Sequence, residues 1–179
     1  MEPFTAPQVR PDDHVRGPAQ APVTVLEYGD YECPYCRGAF RDVRVLADEH
    51  PADIRFVFRN FPIPQLHPHA GQAAEAAEAA ASQGRFWDMH DLLLQPYSHL
   101  DVDSLVTYAE VIGLDIPRFR REVTQEAHAG RIAGDVTEGL RNGVNATPKF
   151  YVNGARVDGK VPLEHLVGMV EQAITAARG

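Results

Sequence analysis

Apolar residues cluster in two short runs within the first third of the chain. Residues 23–28 and 54–59 are rich in β-branched and aromatic side chains, and proline and glycine bound the first run. Runs of this kind predict buried strands. Between them a helix is predicted over residues 34–49, and Pro51 closes it.

The middle of the chain has helical character. Residues 70–81 are mostly Ala and Glu, which lose little conformational entropy in a helix. Glycines fall where helices are expected to stop, at Gly84, Gly113 and Gly143. The further helices are predicted over residues 86–94, 103–112, 116–123 and 125–141.

Strand character returns at residues 149–152. Asn153-Gly154 is the strongest short-range signal for a hairpin turn, so residues 155–157 are predicted to pair back. Residues 163–177 are predicted to form an amphipathic closing helix. Its apolar face comprises Leu163, Leu166, Val167, Val170 and Ile174.

The predicted order is strand, helix, strand, a helical block, then hairpin and helix. A βαβ unit and a ββα unit can share one mixed sheet. The sequence therefore predicts an α/β fold with an all-helical domain, residues 65–143, inserted into a domain formed by residues 13–64 and 144–179. Residues 1–12, rich in proline and polar side chains, are predicted to be a flexible arm.

Composition and charge argue against several classes of protein. The chain has 179 residues, enough for one core plus an inserted subdomain, and its net charge of -8 argues against a nucleic-acid-binding surface. No segment approaches the roughly 18 apolar residues of a membrane span. Residues 1–7 lack the features of a signal peptide. We expect a cytoplasmic monomer without membrane insertion, or an exported protein if a leader has been removed.

The two cysteines carry the candidate chemistry. Cys33 and Cys36 are the only cysteines and form a Cys-x-x-Cys between a predicted strand and helix, the context of a redox pair. Pro34 fits the first helical position, so Cys33 is the N-cap, where unpaired N–H groups and the helix dipole favour the thiolate. Cys36 lies one turn further along the same face. We predict that Cys33 is the exposed nucleophile and that Cys36 is the shielded resolving thiol.

Half of a zinc site is the alternative interpretation of the cysteine pair. Four-coordinate zinc needs two further ligands. His67 and His69 are close in sequence, but surface histidines at a helix entry are the favoured interpretation. We expect neither a bound metal nor another cofactor.

Two further residues have unusual settings. Glu27 shares one face of the first strand with Val23 and Val25. A carboxyl group there is costly to ionise, so its pKa is expected to rise and it could accept a proton from Cys36; a solvent-facing glutamate is the alternative. Pro148 precedes the strand at 149–152, and proline in this place requires a special backbone, for which a cis peptide is one option.

Several segments together resemble the DsbA-like family of bacterial disulfide oxidoreductases. They are residues 17–36, which end in Glu32-Cys33-Pro34-Tyr35-Cys36, then Phe61-Pro62-Ile63-Pro64 with His67-Pro68, residues 84–91 and residues 146–154. They occur in the order of the family and span the chain from about residue 13.

The resemblance implies a thioredoxin-like fold with an inserted helical domain. It implies disulfide exchange with protein thiols and disulfides, and a redox partner that the sequence does not identify. It also implies a cis Pro148 packed against the cysteine pair, with Thr147 offering main-chain hydrogen bonds to an extended substrate. Glu27 matches the buried acid of the family, and Pro34 and Tyr35 form the dipeptide between the catalytic cysteines.

Some residues depart from the strongly oxidising members of the family. Tyr35 stands where they carry a histidine, and Asp30 and Glu32 put negative charge beside Cys33, which opposes thiolate formation. We therefore expect an intermediate reduction potential. Two other functions stay open. One is a glutathione-dependent isomerase or transferase on the same fold, although those relatives use a single serine or cysteine, and the other is a redox-gated or metal-binding module.

Overall fold

The computed structural model describes residues 6–157 and 162–179, in which a five-stranded mixed sheet is accompanied by seven helices. The strands are β1 (His14–Arg16), β2 (Val23–Gly29), β3 (Ile54–Asn60), β4 (Lys149–Val152) and β5 (Ala155–Arg156). The helices are α1 (Pro34–Glu49), α2 (Ala70–Ala81), α3 (Phe86–Leu93), α4 (Val102–Val111), α5 (Ile116–Thr124), α6 (Ala129–Arg141) and α7 (Pro162–Arg178).

Strand β2 lies at the centre of the sheet, whose order is β1-β3-β2-β4-β5. It pairs in parallel with β3 and antiparallel with β4, so that Glu27 lies opposite Phe58 on one side and Phe150 on the other. Helices α1 and α7 pack against the strands and each other. The predicted α/β fold is confirmed. The end of β2 leads directly into the turn that contains Cys33.

The alanine-rich run forms helix α2, and its packing accounts for the small side chains. Its alanines are buried on nearly every side, and α2 packs against α3, α4, α5 and α6. Small side chains let these helices approach closely, which a larger residue would prevent. The run is therefore the centre of the inserted helices. No helix in the described ranges is long and apolar enough to cross a membrane.

The helix ends and the hairpin turn predicted from sequence are confirmed at most positions. Gly84, Gly113 and Gly143 follow helix ends with positive φ angles of 75°, 73° and 81°, a conformation that favours glycine. Asn153 and Gly154 also have positive φ, and they join β4 to β5 as a hairpin. The sequence thus marks the ends of elements through residues with special backbone requirements.

Two element predictions are wrong. Strand β1, which pairs antiparallel with β3, was not expected, because three residues at a sheet edge carry no readable alternation. The predicted helix over 125–141 begins only at Ala129. Glu126 takes a positive φ of 49° in the preceding turn, which interrupts the helix.

The flexible arm predicted for residues 1–12 is anchored near Arg10. The Arg10 guanidinium bonds Asp13, Asp135 and Glu138, so the segment is tied to α6. Opposite charges distant in sequence hold it, and a local pattern does not reveal them. Residues 1–5 of the arm and 158–161 of the C-terminal part lie outside the described residues.

Candidate active site

The two cysteines lie at the junction of β2 and α1. Cys33 is the N-cap of α1 with an extended backbone (φ -68°, ψ 121°), and Pro34 follows at the start of the helix. The Cys33 N–H donates to the carbonyl oxygen of Asp30 at 3.1 Å, which closes the turn after β2. Cys36 lies in the first helical turn. The predicted placement of both sulfurs at the helix start is confirmed.

Both cysteines are free thiols, and both are buried. Cys33 is only 3% exposed, so the prediction of an exposed nucleophile is wrong for this dithiol. Its thiol donates to the Thr147 carbonyl oxygen at 3.3 Å, because the segment before β4 lies against it. The exposed part of the motif is Pro34-Tyr35, and Tyr35 is 75% exposed.

The two thiols have opposite acidities. The hydrogen bond from Cys36, with further bonds from the backbone N–H groups of Cys36 and Tyr35, lowers the pKa of Cys33 to about 5 although burial opposes this. Burial raises the pKa of Cys36 well above its usual value, and the bond to Cys33 and the charge of Glu27 act in the same direction. The geometry therefore separates an acidic thiol, Cys33, from a thiol that keeps its proton, Cys36.

Glu27 lies in β2 and is buried. Its Oε1 has no hydrogen-bond partner among the described residues. Burial, and secondarily the charge of Cys33, raises the pKa of Glu27 to about 8. The predicted direction of the shift is confirmed, and the alternative of a solvent-facing glutamate is wrong.

A cavity of about 180 Å³ adjoins Glu27 between α1 and α3. At its rim Asp91 accepts hydrogen bonds from Arg16 at 2.9 Å and from Arg44 at 3.0 Å. The Arg44 side chain is 45% exposed, so this rim reaches the surface. The cavity is also lined by Phe40, Val43, Ala47, Asp48, Phe56 and His90. Glu27 therefore borders a space large enough for several water molecules.

The Thr147–Pro148 peptide bond is cis, as the resemblance implied. Pro148 directly precedes β4, and Thr147 is buried beside Cys33. The segment just before β4 thus lies next to the Cys33 sulfur.

The histidines of the segment before α2 have partners that the sequence did not indicate. His67 Nδ1 lies 2.8 Å from Asp30 Oδ2, and His69 Nδ1 lies 2.9 Å from Glu32 Oε1. The interpretation of surface histidines at a helix entry holds for His69, which is the N-cap of α2 with a half-exposed side chain, whereas His67 is mostly buried against Asp30. The negative charges expected to oppose the thiolate are both hydrogen-bonded.

Sequence reasoning also missed a buried pair beneath the cysteine turn. The Tyr31 hydroxyl lies 3.1 Å from His90 Nδ1, and each residue is 1% exposed. Burial lowers the pKa of His90 well below its usual value, so the ring is neutral. Residues 86–94 carried only the pattern of a packed helix. In the described ranges no three or more His, Cys, Asp or Glu side chains are grouped to hold a metal ion.

Known proteins resemble the chain over nearly its whole length. A family model described as thioredoxin matches residues 9–172. A thioredoxin-like oxidoreductase from Silicibacter pomeroyi superimposes with a TM-score of 0.79 at 33% identity, covering 94% of each chain. BdbD from Bacillus subtilis has a TM-score of 0.84 at 23% identity, covering 97% of this chain and all of that one, a likeness of fold alone.

A curated relative is a much longer protein. The Na(+)/H(+) antiporter NhaA 3 of Salinispora tropica is 49% identical over 171 residues, which cover 95% of this chain and 26% of that protein. The NhaA antiporter of Herminiimonas arsenicoxydans is 35% identical over 181 residues, which cover 28% of it. The chain thus spans about a quarter of the length of the curated relatives it matches.

Proposed function

The chain belongs to the thioredoxin family, and on this premise we propose that it is a DsbA-like member that exchanges disulfides with protein substrates through Cys33 and Cys36. The observation that carries the proposal is the Cys33 sulfur at the start of α1, with a pKa of about 5 and Cys36 in the next turn. Fold and cysteine pair together support thiol–disulfide exchange as the general chemistry.

The acidity of Cys33 sets the scale of the driving force. A pKa of about 5 lies about two pH units below neutrality. At pH 7 this stabilises the reduced form by about 3 kcal/mol relative to an ordinary thiol, or about 60 mV for a two-electron couple. The range from reducing to strongly oxidising proteins of this kind is roughly 150 mV. With Tyr35 in place of a histidine, we propose an intermediate potential.

Oxidation of a substrate proceeds by two attacks. A substrate thiolate attacks Cys33 of the Cys33–Cys36 disulfide, so that a mixed disulfide forms and Cys36 leaves as a thiolate. A second substrate thiolate then attacks the substrate sulfur of the mixed disulfide and releases Cys33 as a thiolate. Two electrons pass from the substrate to the enzyme. In the reducing direction Cys33 attacks first and Cys36 resolves.

Glu27 is proposed to move the proton of Cys36. With a pKa of about 8, its carboxyl group is protonated in roughly nine of ten molecules at pH 7. It can give this proton to the Cys36 thiolate as that group leaves, and it can take it back when Cys36 resolves. The cavity beside Glu27 offers room for water that exchanges the proton with solvent.

Substrate binding is proposed at the segment before β4. The Thr147 carbonyl oxygen lies 3.3 Å from the Cys33 sulfur, and the cis bond to Pro148 follows it. An extended substrate segment would add its main chain alongside these residues, as in other strand additions. The substrate cysteine would then lie next to the nucleophile.

Two assays test the function. The protein is expected to catalyse refolding of a reduced, denatured disulfide protein, or reduction of insulin disulfides by dithiothreitol. Cys36→Ala is expected to accumulate mixed disulfides that release their partner on reduction, because the resolving thiol is absent. Wild-type protein without activity in both assays, or Cys36→Ala protein without mixed disulfides, would contradict the proposal.

A further inference from the structure

Two histidines before α2 bond the two acidic side chains that flank the nucleophile. An ionised carboxylate can only accept hydrogen bonds, so each imidazole donates through its Nδ1. The two pairs lie in different environments. The Asp30 side chain, bonded by His67, is 0% exposed, whereas the His69 side chain, which bonds Glu32, is 50% exposed.

Asp30 also contacts both cysteines through its main chain. Its N–H donates to Cys36 Sγ at 3.4 Å, and its carbonyl oxygen accepts from the Cys33 N–H at 3.1 Å. Its carboxylate is held by the N–H groups of Glu32 at 2.8 Å and of Ile63 at 2.9 Å, in addition to His67. A shift of the Asp30 carboxylate would therefore displace backbone groups that bond the cysteines.

We propose that His67 is a positioning residue of the redox pair, which acts by donating its Nδ1 hydrogen bond to Asp30 and thereby favours the reduced dithiol. The inference rests on the proposed function. The charge of Asp30 opposes negative charge on the nearby sulfurs, and donors to its oxygens compensate that charge. His67 is the donor to Asp30 that comes from a side chain, so it can be altered without changing the backbone.

The test measures the equilibrium constant between enzyme dithiol and disulfide in glutathione buffers at pH 7. We expect His67→Ala to disfavour the reduced form by roughly threefold to tenfold, because one donor to a buried carboxylate is lost. His67→Asn keeps a donor near the position of Nδ1, and it is expected to stay within about twofold of wild type. His69→Ala, the matched control on the exposed pair, is also expected to stay within about twofold of wild type.

Stability measurements separate positioning from a merely structural role. Denaturant unfolding of the oxidised and reduced forms closes a thermodynamic cycle with the redox equilibrium. We expect His67→Ala to destabilise the reduced form more than the oxidised form, by the same factor that the glutathione constant shifts. Equal losses in both forms with an unchanged constant, or a shift in His67→Asn as large as in His67→Ala, would overturn the inference.

The two proposals fail in different ways. Wild-type protein that does not interconvert with glutathione would overturn the proposed function and this inference with it. Normal exchange in wild type, together with an unchanged constant in His67→Ala, would overturn the inference alone.

Discussion

The protein buries an ionisable side chain in each of two regions, and the two side chains differ in their hydrogen-bond partners. The Arg59 side chain is 0% exposed. Its guanidinium donates hydrogen bonds to both carboxylate oxygens of Asp13 and to one carboxylate oxygen of Glu138. It also donates to the Tyr28 hydroxyl and to the Gln8 carbonyl oxygen. Glu27, beneath the cysteines, has an oxygen without a partner in the described part of the chain. Both groups lie on strands at the centre of the sheet.

The difference separates a structural charge from a reactive one. A fully bonded ion pair keeps its ionisation state and fixes the elements that supply the partners, here the N-terminal segment, β3 and α6. A carboxyl group left without partners changes its protonation near neutral pH, as Glu27 does with its pKa of about 8. Full compensation therefore marks the part that holds the fold together, and missing compensation marks the part whose protonation can change near neutral pH.

The largest expected effect is the loss of exchange on removal of the nucleophile. Cys33→Ser is expected to reduce disulfide exchange by more than about a thousandfold, since the hydroxyl is not ionised at neutral pH. Its unfolding free energy at pH 7 is expected to fall by about 3 kcal/mol relative to the reduced wild type, because the stabilised Cys33 thiolate is lost. Retained exchange in insulin reduction would show that another group attacks.

The ion pair of Arg59 is expected to matter for stability alone. Arg59→Met leaves the buried Asp13 carboxylate without its main partner, and we expect a loss of about 3–5 kcal/mol in urea unfolding. The control is Arg178→Ala, which breaks an exposed pair with Asp53 and is expected to cost less than about 1 kcal/mol. An Arg59→Met protein as stable as this control would contradict the stabilising role of the buried Arg59 ion pair.

Glu27 is expected to lower stability as the pH rises. Its folded pKa of about 8 lies above the usual 4.5, so the cost is absent below about pH 4.5 and grows up to about pH 8. Glu27→Gln is therefore expected to stabilise the reduced protein by about 3 kcal/mol at pH 7 and not at all at pH 4. The measurement is urea unfolding at both pH values.

Glu78→Gln serves as the matched control for that measurement. Glu78 is buried too, but bonds from His14 and pairing with Arg131 lower its pKa despite burial, which opposes this. This variant is expected to lose stability at pH 7. If Glu27→Gln also lost stability at pH 7, Glu27 would have a partner, and its proposed role in proton transfer would lack a physical basis.

Local patterns were enough to select the residues that lie together at the candidate site. The spacing of Cys33 and Cys36, the two-residue period at Glu27 and the proline before β4 each act over a few residues. The same holds for the helix ends at Gly84 and Gly113, where a special backbone is needed. These features could be predicted because sequence neighbours determine them.

Local patterns did not predict contacts between distant segments, and only the family resemblance implied that Pro148 packs against the cysteine pair. Tyr31 meets His90 across 59 positions, and Asp30 meets His67 across 37. Such pairs depend on how the inserted helices and their connections pack against the sheet, which no local period specifies. The burial of Cys33 has the same origin, because Thr147 covers it from 114 positions away.

The account depends most on the ionisation of one sulfur. The thiolate absorbance of the reduced protein at about 240 nm, followed against pH together with the rate of alkylation by iodoacetamide, measures the pKa of Cys33 directly. A single thiolate that titrates with a midpoint near pH 5 is the predicted result. A midpoint near the ordinary value of about 8.5 would contradict it.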